Sequence, residues 1–384
     1  MSDARLELSR KLNTDVLRPL KESFVGKDEI IDLAGICLVA AENLFLLGPP
    51  GTAKSAVVQE LARRIDGRVF DYLLTRFTEP NELFGPFDIR RLREGDLVTN
   101  TEGMLPEAAI VFLDELLNAN SAILNSLLMV LNERIFRRGR ETRKLPTLLV
   151  IGASNRLPED EALGALFDRF LLRVRCDNVP EEQLASVLLA GWQLDAREGA
   201  PQVTMSVDEL RQLQGLVRDV DLAGVRGPLG ELILRLRQAG IPVSDRRAVK
   251  LQRVVAASAV LCGRAEARVS DLWVLRYIWD TEEQVEVLTA LVDEAIARSD
   301  KVDEADSHPR SQNSNQPDPE SIARDLELMA AQVQGDGMPE EERSVLRDRL
   351  GALAGRCAWI VNPEQRTFLE SKLDELWTAL GAKA

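Results

Sequence analysis

The chain has 384 residues, with 48 Lys+Arg against 62 Asp+Glu, a formal net charge of -14 and a single histidine, His308. The length suggests two or three domains. One imidazole excludes a His-clustered metal site and argues against His-based acid/base catalysis, and the acidity argues against broad nonspecific binding of nucleic acid.

The first 40 residues read as two helices broken near Phe24-Val25-Gly26-Lys27. Apolar runs then alternate with helical patterns. Asn43–Leu47, Arg68–Tyr72, Ala109–Leu113, Leu148–Ala153 and Leu171–Arg175 read as buried parallel strands. Helical stretches near 54–65, 119–132 and 160–168 lie between them, which predicts a three-layer α/β sheet over about 1–179. From about 180 the strand signal fades, so 180–299 reads as an all-helical domain, with Ser244 or Asp245 capping a helix that runs through Leu251 and Val255. Residues 300–319 are polar and rich in Ser, Asn and Pro, as flexible linkers are, and His308 is expected to be solvated there. Three amphipathic segments follow in 320–384, marked by Ile322, Leu326 and Met329, by Leu346, Leu350 and Leu353, and by Leu369, Leu373 and Trp377. The four cysteines, Cys37, Cys176, Cys262 and Cys357, form neither a zinc pattern nor a disulfide framework. The polar N-terminus is no signal peptide, and no apolar run reaches the about 18 residues of a bilayer span. A reducing cytoplasm without membrane insertion is the expected setting.

The sharpest feature is Gly48-Pro49-Pro50-Gly51-Thr52-Ala53-Lys54-Ser55, followed by Ala56, between an apolar strand and a helix. That is the context of a P-loop, in which glycines let backbone N–H groups turn toward phosphate oxygens. Lys54 would reach the β- and γ-phosphates, and the Ser55 hydroxyl would ligate Mg²⁺. Ala53 stands where the strict pattern has glycine, and its methyl restricts positive φ. The strand 109–113 ends in Asp114-Glu115, placing two acids at the sheet edge where ligands bind. Asp114 can hold Mg²⁺, and Glu115 can deprotonate the attacking water, which points to hydrolysis. A third strand ends in Ser154-Asn155. The Asn155 amide either touches the γ-phosphate or its water, or caps a turn before Pro158.

These residues together resemble the MoxR family of AAA+ ATPases, and within it the RavA branch. GPPGTAKS (48–55), NELFGPF (81–87), LPEAAIVFLDE (105–115), AILNSLLMVLNER (122–134), ASNRLPE (153–159) and ALFDRF (165–170) carry the likeness, which spans roughly 5–290. The resemblance implies a nucleotide domain with a helical lid. It makes Lys54 and Ser55 Walker A, Asp114 and Glu115 Walker B, and Asn155 sensor 1. It implies that Arg169 is an arginine finger serving a neighbouring subunit's γ-phosphate, against the simpler reading of an ion pair with Asp168. Arg246, with Arg247 close behind, falls at the sensor 2 position. Val25-Gly26 falls where the family lines the adenine pocket. Relatives often carry a basic residue where this chain has Asn118, so any charge contact made there is in doubt. The resemblance further implies a ring, most simply a hexamer, that remodels a partner protein with a von Willebrand A domain.

Arg134, Arg137, Arg138, Arg140, Arg143 and Lys144 cluster just before the third motif strand, in a stretch that reads as a β-hairpin turning at Gly139. Arg90, Arg91 and Arg93 lie in a second insert. The two stretches read either as solvated faces or as a basic surface for an acidic partner. No aromatic platform interleaves with these arginines, which disfavours single-stranded nucleic acid. The functional expectation is therefore an ATP hydrolase with Mg²⁺, of chaperone-like action. Its rivals are a nucleic-acid-stimulated motor and a low-turnover scaffold.

Overall fold

The structure, a computed structural model, describes residues 2–93, 97–138, 141–158, 161–196, 203–298, 307–311, 319–333, 340–357, 360 and 363–380. α1 (Ser2–Lys11) runs through a π-helical stretch into α2 (Arg18–Ser23), and after a break at Phe24–Lys27 comes α3 (Asp28–Ala40). Then follow β1 (Leu44–Leu47), α4 (Lys54–Arg63), β2 (Ile65–Asp66), β3 (Val69–Leu73), α5 (Pro80–Phe84), α6 (Ile89–Arg93) and β4 (Ile110–Asp114). α7 (Ser121–Glu133) leads to the hairpin β5 (Ile135–Arg138) and β6 (Glu141–Lys144), then to β7 (Leu149–Ser154), α8 (Glu161–Phe167), β8 (Leu172–Arg175), α9 (Leu184–Asp195) and β9 (Met205–Ser206). The rest is helical: α10 (Val207–Leu216), α11 (Ala223–Gln238), α12 (Asp245–Leu261), α13 (Gln284–Ala297), α14 (Pro319–Val333), α15 (Glu340–Cys357) and α16 (Pro363–Ala379).

The chain divides into two compact units. One comprises Asp15–Gln214 with Tyr277–Thr281, the other Met1–Thr14, Gly215–Arg276 and Glu282–Ala384. The first is built on a five-stranded parallel sheet of order β3-β4-β7-β1-β8. Its central strands are buried on both faces, which is why their sequences run apolar without alternation. Because β4, β7 and β1 are neighbours and parallel, the residues that follow them emerge side by side at one edge of the sheet.

The expected division at 179/180 falls inside the first unit. α9 and β9 belong to that unit, and β9 pairs in parallel with β2, Ile65 opposite Met205. A strand of two residues carries no readable period, so the stretch looked all-helical.

Arg173 of β8 was also invisible to pattern reading. It is fully buried (0% exposed). Its guanidinium donates to the carbonyls of Phe167, Ile278 and Trp279 and to the Asp280 carboxylate, and it stacks 4.2 Å from the centre of the Phe167 ring. It thereby ties residues 278–280 into the first unit. Arg173→Ala would leave these acceptors buried without a donor, at a cost of about 3–5 kcal/mol. Denaturant unfolding should read that loss, and a change under about 1 kcal/mol would show the network to be dispensable.

In the second unit, α12 begins at Ser244, whose hydroxyl accepts the Arg247 N–H at 3.2 Å, as expected of a cap. α14, α15 and α16 enclose the predicted apolar positions, including Ile322, Leu326, Met329, Leu350, Leu353, Leu373 and Trp377. His308 corrects the linker expectation. It is 1% exposed, stacks on Trp273 with ring centres 4.9 Å apart, and its N–H donates to Ser270 Oγ at 3.0 Å. Arg276 donates to the carbonyls of Arg310 and Ser311. Residues 307–311 are thus an anchored turn, held by a stacked ring that composition cannot reveal. The remaining expected linker positions, 301–306 and 312–318, lie outside the described residues.

Candidate functional site

The loop after β1 is fixed by two features of its sequence. Gly48 has no room for a side chain, since a Cβ would stand 2.2 Å from the Cys176 carbonyl oxygen. Its N–H donates to Ser154 O at 3.0 Å, which sets the loop against the end of β7. Thr52 is held from both sides. Its hydroxyl donates to Pro49 O at 2.9 Å, and its carbonyl accepts from Cys176 Sγ at 3.2 Å. Ala53 adopts φ +67, the left-handed conformation that the missing glycine would have supplied freely. The alanine therefore keeps the loop's shape at a strain of about 1 kcal/mol. α4 starts immediately afterwards, and the Val57 N–H donates to Ala53 O at 3.0 Å. Among the described residues, the amides of Gly51 through Ala56 have no backbone acceptor, so they remain available to an anion at the positive end of the helix.

Lys54 is buried, and its ammonium donates to Gly48 O and Pro49 O, both at 2.8 Å. The Ser55 hydroxyl donates to Asp114 Oδ2 at 3.2 Å, so the two expected Mg²⁺ ligands are in contact. This pair of hard oxygens, with phosphate oxygens and water completing the shell, fits Mg²⁺. Glu115 has φ +50, a left-handed backbone that turns the chain sharply at the end of β4. Its N–H donates to Asp114 Oδ1 at 2.9 Å. The Glu115 carboxyl is held above the usual carboxylate range, first by burial and then by the Asp114 charge, with Lys54 and Arg156 opposing. Asn155 is exposed just beyond β7, and its amide makes no capping hydrogen bond among the described residues. The sheet thus brings Lys54, Ser55, Asp114, Glu115 and Asn155 to the ends of three adjacent strands.

Gly26 sits at φ +72, where a Cβ would stand 2.8 Å from Val179 Cγ1. Its turn with Val25 is joined to the segment after β8, because Lys27 donates to Asp177 O while Cys176 packs on Gly48. The Arg169 guanidinium lies against Asp168 at 2.8 Å within the single chain. Arg246 and Arg247 stand in the other unit. Arg247 is buried and donates to Pro242 O at 3.4 Å, whereas Arg246 is exposed.

Three arginines of the basic cluster, Arg134, Arg138 and Arg143, are half-buried within the fold. β5 and β6 pair as the predicted hairpin, its turn at Gly139 and Arg140 lying outside the described residues. Arg138 donates to Gly85 O and Asn81 Oδ1 and lies 4.0 Å from the centre of the Phe87 ring. Arg143 donates to Thr101 Oγ1 at 3.0 Å and Pro106 O at 3.3 Å. Burial holds the Arg134 pKa down to about 10. Arg138 and Arg143 fasten the hairpin to the segment beside it. Arg90, Arg91, Arg93, Arg137 and Lys144 stay exposed.

A phosphate loop after β1, paired acids at the end of β4 two places over and a polar strand end on β7 between them are the arrangement of an AAA+ ATPase. Comparison with known proteins narrows the class. A family model described as the MoxR domain in the MoxR-vWA-beta-propeller ternary systems matches residues 10–215, and an AAA lid domain model matches 225–292. The chain belongs to the MoxR family. Two uncharacterised proteins of Methanocaldococcus jannaschii are 38% identical to it, over 289 residues (74% of each chain) and over 264 residues (68% of this chain, 70% of theirs). The chaperone MoxR1 of Mycobacterium tuberculosis is 27% identical over 199 residues, 51% of each chain. The crystal structure of a candidate ATPase from Cytophaga hutchinsonii superposes with a TM-score of 0.63 at 19% identity, covering 79% of this chain and 98% of that one. These matches do not single out the RavA branch. No described helix is long and apolar enough to cross a membrane.

Proposed function

We propose that this chain hydrolyses ATP to ADP and phosphate in a ring of identical subunits and uses the cycle to remodel a partner protein. The observation that carries the proposal is the convergence of Lys54, the Ser55–Asp114 pair and Glu115 at one sheet edge. The amides of 51–56 and the Lys54 ammonium bind the phosphates, Lys54 leaving the two loop carbonyls to do so. Ser55 and Asp114 would hold Mg²⁺, which would neutralise charge on the phosphate oxygens. Glu115 takes the proton of the attacking water, and Asn155 orients that water. Val25 and Gly26 admit the adenine, and Arg246 reaches the nucleotide from the lid. The nucleotide domain is the unit of residues 15–214 with 277–281, the lid lies within 215–298, and 320–384 are a helical extension.

Arg169 stabilises transition-state charge in the neighbouring subunit, so hydrolysis requires a ring, with a hexamer as the simplest form. The partner carries a von Willebrand A domain. The description of the matching family supports this and adds a β-propeller component. The setting is the cytoplasm. Nucleic acid is disfavoured as a partner because three of the clustered arginines are engaged or buried within the fold. Mixing Arg169→Ala subunits with Glu115→Gln subunits should restore part of the activity that each lacks, because intact sites form at mixed interfaces. Phosphate release read across mixing ratios tests this. No recovery in rings shown to be mixed would exclude a role for Arg169 in trans.

A further inference from the structure

Two polar side chains that the proposed chemistry does not use are linked to Glu115, Asn118 directly and Arg156 through Asn118. Asn118 ends the short 3-10 turn that follows it, Leu116–Asn118, and its N–H donates to Glu115 O at 2.9 Å. The Asn118 amide nitrogen donates to Glu115 Oε2 at 3.4 Å, and the amide oxygen accepts from the Arg156 guanidinium at 3.2 Å. Arg156 comes from the end of β7, beside Asn155, and its N–H donates to Ser154 Oγ at 3.3 Å. An unbroken relay therefore runs from the Glu115 carboxylate to the strand that carries Asn155.

We infer that Asn118 and Arg156 are positioning residues that hold the Glu115 carboxylate where it meets the attacking water. The inference rests on the proposed role of Glu115 as the base. Glutamate has three side-chain torsions, and a base displaced by about 1 Å loses much of its effect. The backbone turn at Glu115 fixes where the side chain starts, and the Asn118 amide fixes where it ends. A neutral amide suits this place because it offers a donor to the carboxylate and an acceptor to the guanidinium at once. Lysine or arginine at 118 would have no acceptor and would repel Arg156. Aspartate would accept from Arg156 but would repel Glu115.

The test uses the full chain under saturating Mg-ATP, with kcat and nucleotide Kd measured separately for each variant. Asn118→Ala, Asn118→Asp and Arg156→Ala should each lower kcat about tenfold or more while Kd moves less than about twofold, as losses of outer supporting contacts do. Asn118→Gln, which keeps donor and acceptor, should recover much of the kcat that Asn118→Ala loses. The Asn118→Ala/Arg156→Ala pair should lose no more than the worse single change. The inference falls if Asn118→Ala keeps wild-type kcat. It falls equally if kcat and affinity decline together and Asn118→Gln behaves as Asn118→Ala, since that pattern marks a general loosening of the fold. Glu115→Gln in the same assay separates the two levels. If Glu115→Gln is inactive and Asn118→Ala is fully active, only the relay is lost. If Glu115→Gln hydrolyses as fast as wild type, the role of Glu115 fails and the relay with it.

Discussion

Lys54→Ala should lower ATP affinity by about 10- to 100-fold, read as weakened binding in a titration with a fluorescent ATP analogue. The ammonium is the one cationic side chain inside the loop, and a charge-assisted bond to phosphate contributes about 1.5–3 kcal/mol. Its removal also alters the nucleotide-free loop, where Lys54 bridges Gly48 O and Pro49 O. Those carbonyls would lose their donor, and the loop would lose the tie between its first two residues and the helix start. Lys54→Arg should be nearly as damaging, since a planar guanidinium does not fit a buried place shaped for a compact ammonium. Unchanged affinity in Lys54→Ala would remove this loop from the binding site.

Glu115→Gln should lower turnover by about 10²–10⁴-fold, the usual worth of a positioned base, while ATP binding persists or tightens. The amide keeps the shape of the side chain and cannot accept a proton. It also removes a negative charge beside Asp114, where triphosphate must approach. The environment of Glu115 supports its role. Burial and the Asp114 charge raise its pKa above the ordinary carboxylate value, and the Lys54 and Arg156 charges oppose that shift. A solvated carboxylate at a strand end would show none of this.

Much of the fold was legible in the sequence because its elements are long or strongly patterned. Four of the expected strands read as apolar runs and are buried in the sheet, whereas 68–72, also expected to be buried, forms the edge strand β3 with Val69, Asp71 and Leu73 exposed. Ala53 broke the strict loop pattern yet takes the left-handed backbone the loop needs, so position between strand and helix was a better guide than the residue type. What escaped were contacts that depend on side chains far apart in sequence. Arg156 meets Asn118 across 38 residues, and Arg173 meets Trp279 across 106. Neither separation leaves a period. His308 was misread for the same reason. Its polar neighbours describe a linker, and only the Trp273 ring explains its burial. The arginines of the hairpin show the converse. Their number announced a basic surface, but Arg138 and Arg143 are turned inward onto carbonyls of the adjacent insert.

Phosphate release from the purified full chain, loaded with Mg-ATP and measured beside equally loaded Glu115→Gln, tests the central claim most directly. Steady release by the wild type, with the variant slower by at least about 100-fold at matched occupancy, is the predicted result. Equal rates in the two proteins, both shown to hold ATP, would mean that the chain binds nucleotide without Glu115 cleaving it, and the account would be contradicted.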